Sequence, residues 1–457
     1  MLGLALVTLS GCQTYQPRPL DPQTHLKAFS ERSIHDQSLK TFIDSLESAT
    51  HTSPYDSSDG ISLDEAERIA LYYNPDLRIA RLQAGLAAAD SKHAGLWDDP
   101  NLDLDALRII EGGNDPWIVG GSLSITIPIS GRLNAERKRA DAQTRAALSA
   151  VALAEWNTRI EIRQVWNQWS AAQLSAQRIE HLLESIIKLA ESTAELARSG
   201  ELPATQALLF EIERVSHTQA LARTRAKSTI YQQQLLAIMG LASEAKANLI
   251  PAFSVQPVES IPDFDLIIQH HPTPVKLRDE YAVTEAALLR EIRAQYPDLT
   301  IGPAYESDQG ESRIGLVAGI PLPILNSNKQ GIAKARAQRE LARGAYEAEL
   351  EKHRNTLSIA LQNATTARQQ RVDMESILVP LVDKQLADAQ RLLELGESDG
   401  LVLLESLQRA GQTTNELIDA RLAVAMAITE LESQIGPMLV FDQDQSTNKP
   451  TTTEGSK

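Results

Sequence analysis

The chain states one plan twice, about 196 residues apart, and this duplication limits what it can fold into. Asn74-Pro75 returns as His271-Pro272, Pro100 as Pro297, and Ile127-Pro128 as Ile320-Pro321. Gly200-Glu201 returns as Gly396-Glu397, and Gly240 as Gly436. The landmarks keep their order and drift by only a few residues. One half therefore encodes one unit: a short helix, a second helix, two strands, a very long helix, a tight turn and a returning helix. The spacing puts the first unit at 62–240, with strands at about 101–129 and a helical hairpin at about 131–240. The second unit spans 263–436, with strands at about 298–323 and a hairpin at about 328–436. Residues 241–262 connect the two. Residues 12–61 form an arm, and 437–457 a polar tail.

Local signals agree with this plan. Ser62 ahead of Leu63-Asp64-Glu65 is a helix start, and Asn74 before Pro75 is a helix stop. Leu102, Leu104 and Ala106 alternate with Asp103 and Asp105, and Leu123, Ile125 and Ile127 alternate with Ser122, Ser124 and Thr126. That period of two gives each strand one apolar and one polar face. A Gly- and Pro-containing stretch at 111–116 joins them as a turn. From Arg132 to Ser199 there is neither Gly nor Pro. A single helix of that span would be on the order of 100 Å long. Its later part, from Ile162 to Ala197, carries a 3–4 apolar seam as in a coiled coil. Gly200-Glu201-Leu202-Pro203 breaks it. In the second half Gly344 and Pro380 are the expected kink points of the matching helix. Pro17, Pro19, Pro22 and Pro54 make the arm read as extended and loosely ordered.

Composition narrows the class. Aromatic residues make up 4 % of 457, while Ala and Leu abound, as in long helices packed on each other. A net charge of −16 argues against a nucleic-acid partner. Residues 1–11 read as a signal segment, and Leu9-Ser10-Gly11-Cys12 is similar to the lipobox of bacterial lipoproteins, which makes Cys12 the expected lipid attachment point. No other stretch reaches the roughly 18–20 apolar residues of a membrane-spanning helix.

An isolated two-stranded hairpin is marginal in water, so the strands are expected to pair with copies from other subunits. Four strands cannot close a barrel, but three copies supply about twelve, and a closed barrel can sit in lipid with its apolar face outward. Ser122, Ser124 and Thr126 would then line a wet lumen, and Trp97, Trp117, Tyr296 and Tyr305 would lie at the membrane interfaces. The fold class is mostly α, with a transmembrane β-barrel contribution from each copy.

In these respects the chain resembles the TolC-like outer membrane efflux proteins, from about Leu63 to Gly436. The resemblance rests on the duplication, Asn74-Pro75, the two Ile-Pro strand ends and the two Gly-Glu tips. The run from Ile320 to Gly331, and Ala94-Gly95-Leu96-Trp97, are similar to the heavy-metal branch, the partners of cobalt–zinc–cadmium or copper pumps. The resemblance implies a lipid-anchored homotrimer in the outer membrane with its helical tube in the periplasm. It also implies a periplasmic adaptor and an inner membrane pump of the resistance–nodulation–division class as partners. By the family pattern Arg198, Ser199, Gly200 and Glu201, with Leu395, Gly396 and Glu397, would meet the adaptor. Glu201, Glu397 and Asp399 would attract cations, or alternatively only favour helix starts. Heavy-metal cations are the leading cargo, drugs and other organic compounds the alternative. A periplasmic coiled-coil scaffold is a more distant reading. No nucleophile–base set, zinc spacing or phosphate loop is visible, so neither an enzyme nor a cofactor is expected. His270-His271 reads as a helix-end feature, since adjacent helical residues do not face one another.

Overall fold

A computed structural model describes residues 14–50, 55–56, 58–108, 110, 117–253, 261–308, 311–395, 397 and 400–437. The arm contains two helices, α1 (Pro22–Ser30) and α2 (Gln37–Thr50). The first unit follows as α3 (Leu63–Tyr73), α4 (Pro75–His93), β1 (Asn101–Arg108), β2 (Trp117–Ile127), α5 (Arg132–Ser199) and α6 (Ala204–Ile238). The second repeats that order: α7 (Phe264–His270), α8 (Pro272–Arg293), β3 (Leu299–Asp308), β4 (Glu311–Gly319), α9 (Lys329–Asp373), α10 (Val379–Glu394) and α11 (Gly400–Ile435). Between α9 and α10 lies a π-helical segment, Met374–Leu378.

Side chains set several of these ends. Ser62 and Glu65 form a reciprocal capping box, with Ser62 N donating to Glu65 Oε2 at 2.8 Å and Glu65 N to Ser62 Oγ at 3.4 Å. Two expectations change. The arm is not extended. Asp21 caps α1, with Pro22 at its first position, and Ile34, Leu39 and Ile43 insert into the core beside α3. The polar composition of the arm hides these three spaced apolar residues. Gly344 lies inside the unbroken α9, and the only change of winding is the π segment just before Pro380. Proline cannot donate to the carbonyl four residues earlier, so the turn ahead of it widens.

The four strands form one antiparallel sheet in the order β1-β2-β3-β4. The two hairpins thus pair with each other inside one chain through β2 and β3, with Ser122 opposite Ala304 and Thr126 opposite Thr300. Neither hairpin was isolated after all; the duplication supplies its partner. Gly302 makes this close approach possible, since a Cβ there would lie 1.9 Å from the Leu123 carbonyl oxygen.

Below the sheet the same lateral order continues in helices. Nearest the sheet, α4 packs on α5, α5 on α8, and α8 on α9. Farther down, α6 packs on α5, α5 on α11, and α11 on α9 and α10. The molecule is a long wall four elements wide, with β1, α4 and α6 along one margin and β4, α9 and α10 along the other. The largest apolar core lies midway, where Ile162, Trp166 and Trp169 of α5 meet α2, α3 and the end of α6. Among the described residues no helix is long and apolar enough to cross a membrane.

Candidate functional site

Strand register sorts the sheet into two unlike faces. Leu102, Leu104, Leu123, Ile125, Ile314 and Leu316 share one face and are exposed. Asp103, Asp105, Ser122, Thr126, Glu306 and Arg313 share the other. On that face Arg313 binds Glu306 at 3.1 Å, Asp308 at 3.5 Å and Glu311 at 3.6 Å. The strands are 8, 11, 10 and 9 residues long, close to the ~9–11 that cross a bilayer when tilted. Trp97 and Tyr296 precede the strands at the helical end, and Trp117 and Tyr305 lie toward the other. All four are about half exposed. At the base, Arg132 at the start of α5 reaches Asp98 at 3.5 Å and Asp298 at 3.4 Å, tying helix to sheet.

At the far end, Gly200 closes the first hairpin in the left-handed region, at φ 82°. Glu201 N and Leu202 N both donate to Leu196 O, at 2.9 and 3.1 Å. A Cβ on Gly200 would touch nothing within 4 Å, so its backbone angle, not its space, calls for glycine. Arg198 and Glu201 are exposed there, and Ser199 Oγ donates to Leu196 O at 3.0 Å. Pro203, without a side-chain bond, holds the cap position of α6, so Glu201 is not its cap. In the second hairpin Leu395 N donates to Arg391 O at 3.1 Å and Glu397 N to Leu392 O at 2.9 Å. Gly396 and Asp399 lie outside the described residues, as does Cys12. Phe210 of α6, buried against Ala190, Leu401 and Leu404, seats the start of α11 on the first hairpin, so the two tips are neighbours.

Midway along the wall, each unit has a junction where its short helix turns into the next one. In the first, Asn74 Oδ1 accepts from Asp76 N at 2.9 Å and Leu77 N at 3.0 Å, while its Nδ2 donates to Ile238 O at 2.8 Å. Arg32 of the arm donates to Gly240 O at 2.6 Å. In the second, His271 takes both roles. Its Nδ1 accepts from Thr273 N at 3.2 Å and its Nε2 donates to Ser433 O at 2.8 Å. This agrees with the helix-end reading. Its neighbour, His353 of α9, could not be foreseen from residue spacing. The two rings lie 4.5 Å apart, and His353 Nε2 donates to Gln434 O at 2.8 Å. Burial pushes His271 down to about 4, and the polar contact with Ser433 offsets only part of that.

A second long-range group was also hidden from sequence reasoning. Arg163 of α5 is buried between Glu67 of α3, at 2.6 Å, and Glu432 of α11, at 2.7 Å. Burial alone would lower the Arg163 pKa, but the two carboxylates outweigh it and hold the guanidinium charged. Among the described residues no group of three His, Cys, Asp or Glu side chains could hold a metal ion.

No family model matches the chain. It is 21 % identical over 364 residues to the cobalt-zinc-cadmium resistance protein CzcC of Cupriavidus metallidurans, covering 78 % of this chain and 86 % of that protein. The solved channel protein CusC superposes with a TM-score of 0.69 at 16 % identity, over 82 % of this chain and 92 % of CusC. The CmeC outer membrane channel of Campylobacter jejuni gives 0.70 at 15 % identity, over 87 % and 93 %. The fold is that of the outer membrane efflux channels, as the sequence resemblance implied.

Proposed function

We propose that three copies of this chain close into a duct across the outer membrane and the periplasm, and that the duct passively carries heavy-metal cations outward. The observation that carries this reading is the pair of unlike margins. At every level the wall is four elements wide, and its two edges present different elements, β1, α4 and α6 against β4, α9 and α10. Joining one margin to the other in the next copy is a head-to-tail contact, and such contacts close into a ring where the rotation between copies divides a full turn. Exposed Ile79, Leu82 and Leu86 on α4, and Leu341 on α9, stand ready to be covered at that seam. In the ring the Leu102 and Leu316 face turns to lipid and the Ser122 and Thr126 face to water.

The relative named for cobalt–zinc–cadmium resistance supports the cargo. The tips, Arg198 to Glu201 and Leu395 to Glu397, are proposed to dock a periplasmic adaptor that links the duct to an inner membrane pump. Glu201, Glu397 and Asp399 would draw cations to that end. Cys12 would anchor each copy to the membrane through its lipid, and Cys12→Ser should abolish metabolic acyl labelling. The duct itself performs no chemistry; energy comes from the pump.

The first experiment is the mass of the detergent-solubilised particle. Three chains of 50.1 kDa give about 150 kDa of protein. A monomer or dimer in the soluble periplasmic fraction would move the reading to a coiled-coil scaffold. Deleting the gene should then raise sensitivity to zinc, cadmium or cobalt. Sensitivity to organic compounds alone would replace the cargo and keep the duct.

A further inference from the structure

The two junctions do one mechanical job with different chemistry. An asparagine offers an acceptor oxygen and a donor amide at any pH. A neutral imidazole offers the same pair, but a protonated one offers only donors. We propose that the second junction is an acid-released latch: protonation of the His271–His353 pair frees the last turn of α11 from α8 and α9, while the first junction holds.

The contacts define the latch. α11 ends at Ile435, so its last carbonyls have no helical partner. Ser433 O and Gln434 O receive instead the Nε2 protons of His271 and His353. His271 Nδ1 meanwhile accepts the Thr273 N–H that starts α8. A proton on Nδ1 leaves the Nε2 donor in place but sets two donors against each other at Thr273 and puts a buried cation at the N-terminus of α8, where the dipole opposes it; the ring is then driven out to water and takes its Nε2 from Ser433 O. A second proton on His353 adds a like charge one ring away, at 4.5 Å.

The charges around the rings do not offset their burial. α5 contributes Glu161 to the cavity beside the rings, and α9 contributes Glu349 and Lys352. Glu349 draws a proton toward His353 and Lys352 resists it; burial outweighs both and lowers the basicity of His353. On α11, Glu432 is held by Arg163. On α7, His270 turns its Nδ1 to Leu266 O. From α8 only Thr273 reaches the cavity. Water has access, because the cavity of about 290 Å³ borders both rings.

Packing makes the second junction the one that yields. Among the described residues, fifteen buried apolar side chains back the first junction, including Ile34, Leu39, Ile43 and Ile61 of the arm. Five back the second: Ile267, Leu357, Ala360, Leu431 and Ile435. The hydrogen bonds of the two imidazoles therefore carry a larger share of its cohesion.

Amide hydrogen exchange on the full-length, detergent-solubilised protein tests this, at pH 7.5 and 4.5 with intrinsic rates corrected. Protection at 271–276 and 430–436 should fall roughly fifty- to a hundredfold on acidification, from His271 alone. Protection at 74–78 and 236–241 should stay. His271→Asn installs the residue used by the first unit and should keep the second junction closed in acid. Equal loss at both junctions, or unchanged acid opening in His271→Asn, would overturn the latch. Should that variant fail to fold, His353→Gln keeps the bond to Gln434 and removes one charge. It must open at lower pH than the unsubstituted protein, and an unshifted profile would equally overturn the proposal.

Discussion

The two units share their backbone landmarks and differ in what surrounds them. Gly240 and Gly436 both end their helices in the left-handed region, at φ 71° and 93°. Asn74 and His271 both cap the helix after a short one and both reach back to the end of a long one. Around the first pair lie the arm, Trp166 and Trp169; around the second lie a polar cavity and a second histidine. A duplicated backbone fixes where a turn and a cap must fall. It leaves free which side chains meet them from elsewhere in the chain.

Substitutions can break or sharpen this contrast. The largest effect is expected where the units are tied together. Arg163→Met strands Glu67 and Glu432 in the interior and should cost about 3–5 kcal/mol in denaturant unfolding of the solubilised protein. Replacing both carboxylates with leucine in the same variant should recover most of that loss; no recovery would mean that shape rather than charge matters there.

Next come the two glycines. At Gly240 a Cβ would sit 2.3 Å from the Tyr73 carbonyl oxygen, a backbone atom. At Gly436 its nearest neighbour would be the His271 ring at 3.0 Å, a less severe overlap. Gly240→Ala should therefore cost about 3 kcal/mol and Gly436→Ala about 1–2. Equal losses would show that only the backbone angle matters.

Acid should separate the units by about 3 kcal/mol at pH 4. His271 takes its proton at about 4 when folded, against 6.5 for an ordinary imidazole. Between those values the unfolded chain binds more protons, so this contribution is complete above pH 6.5 and is lost as pH falls toward 4. Thermal unfolding scanned against pH should show that slope and lose it in His271→Asn. The smallest effect is expected at the first cap, where Asn74→Ala should cost about 1 kcal/mol at every pH.

Local rules account for what the residues alone foretold. Asn74-Pro75, Ser62 with Glu65, Gly200 and the alternation in β2 all act within a few residues of themselves, so their consequences could be read in order. What escaped acts through space. His353 stands 82 positions after His271 and Glu432 stands 269 after Arg163, and nothing in the intervening chain announces either meeting. The arm escaped for another reason. Ile34, Leu39 and Ile43 are too widely spaced in a polar stretch to signal a buried face, and only the presence of α3 gives them one. The pairing of β2 with β3 needed the closeness that Gly302 permits, a demand visible only once both strands are in place.

The π segment bears on how such a chain can change length. Along α9 the inward positions run Ala360, Ala364, Ala367, Arg371 and Met374, in steps of four and three. The next inward apolar residue is Val379, five along, and then Val382, Leu386 and Ala389 restore the earlier beat. The segment works like a dislocation in a crystal: it takes up one residue without turning the rows beyond it. Removing a single residue from 374–378 should leave an ordinary helix whose tip still faces its partner. The same deletion in α5, which has no such defect, would rotate everything toward Gly200 by about 100°. The second hairpin can thus give up one residue without losing its register, and the first cannot.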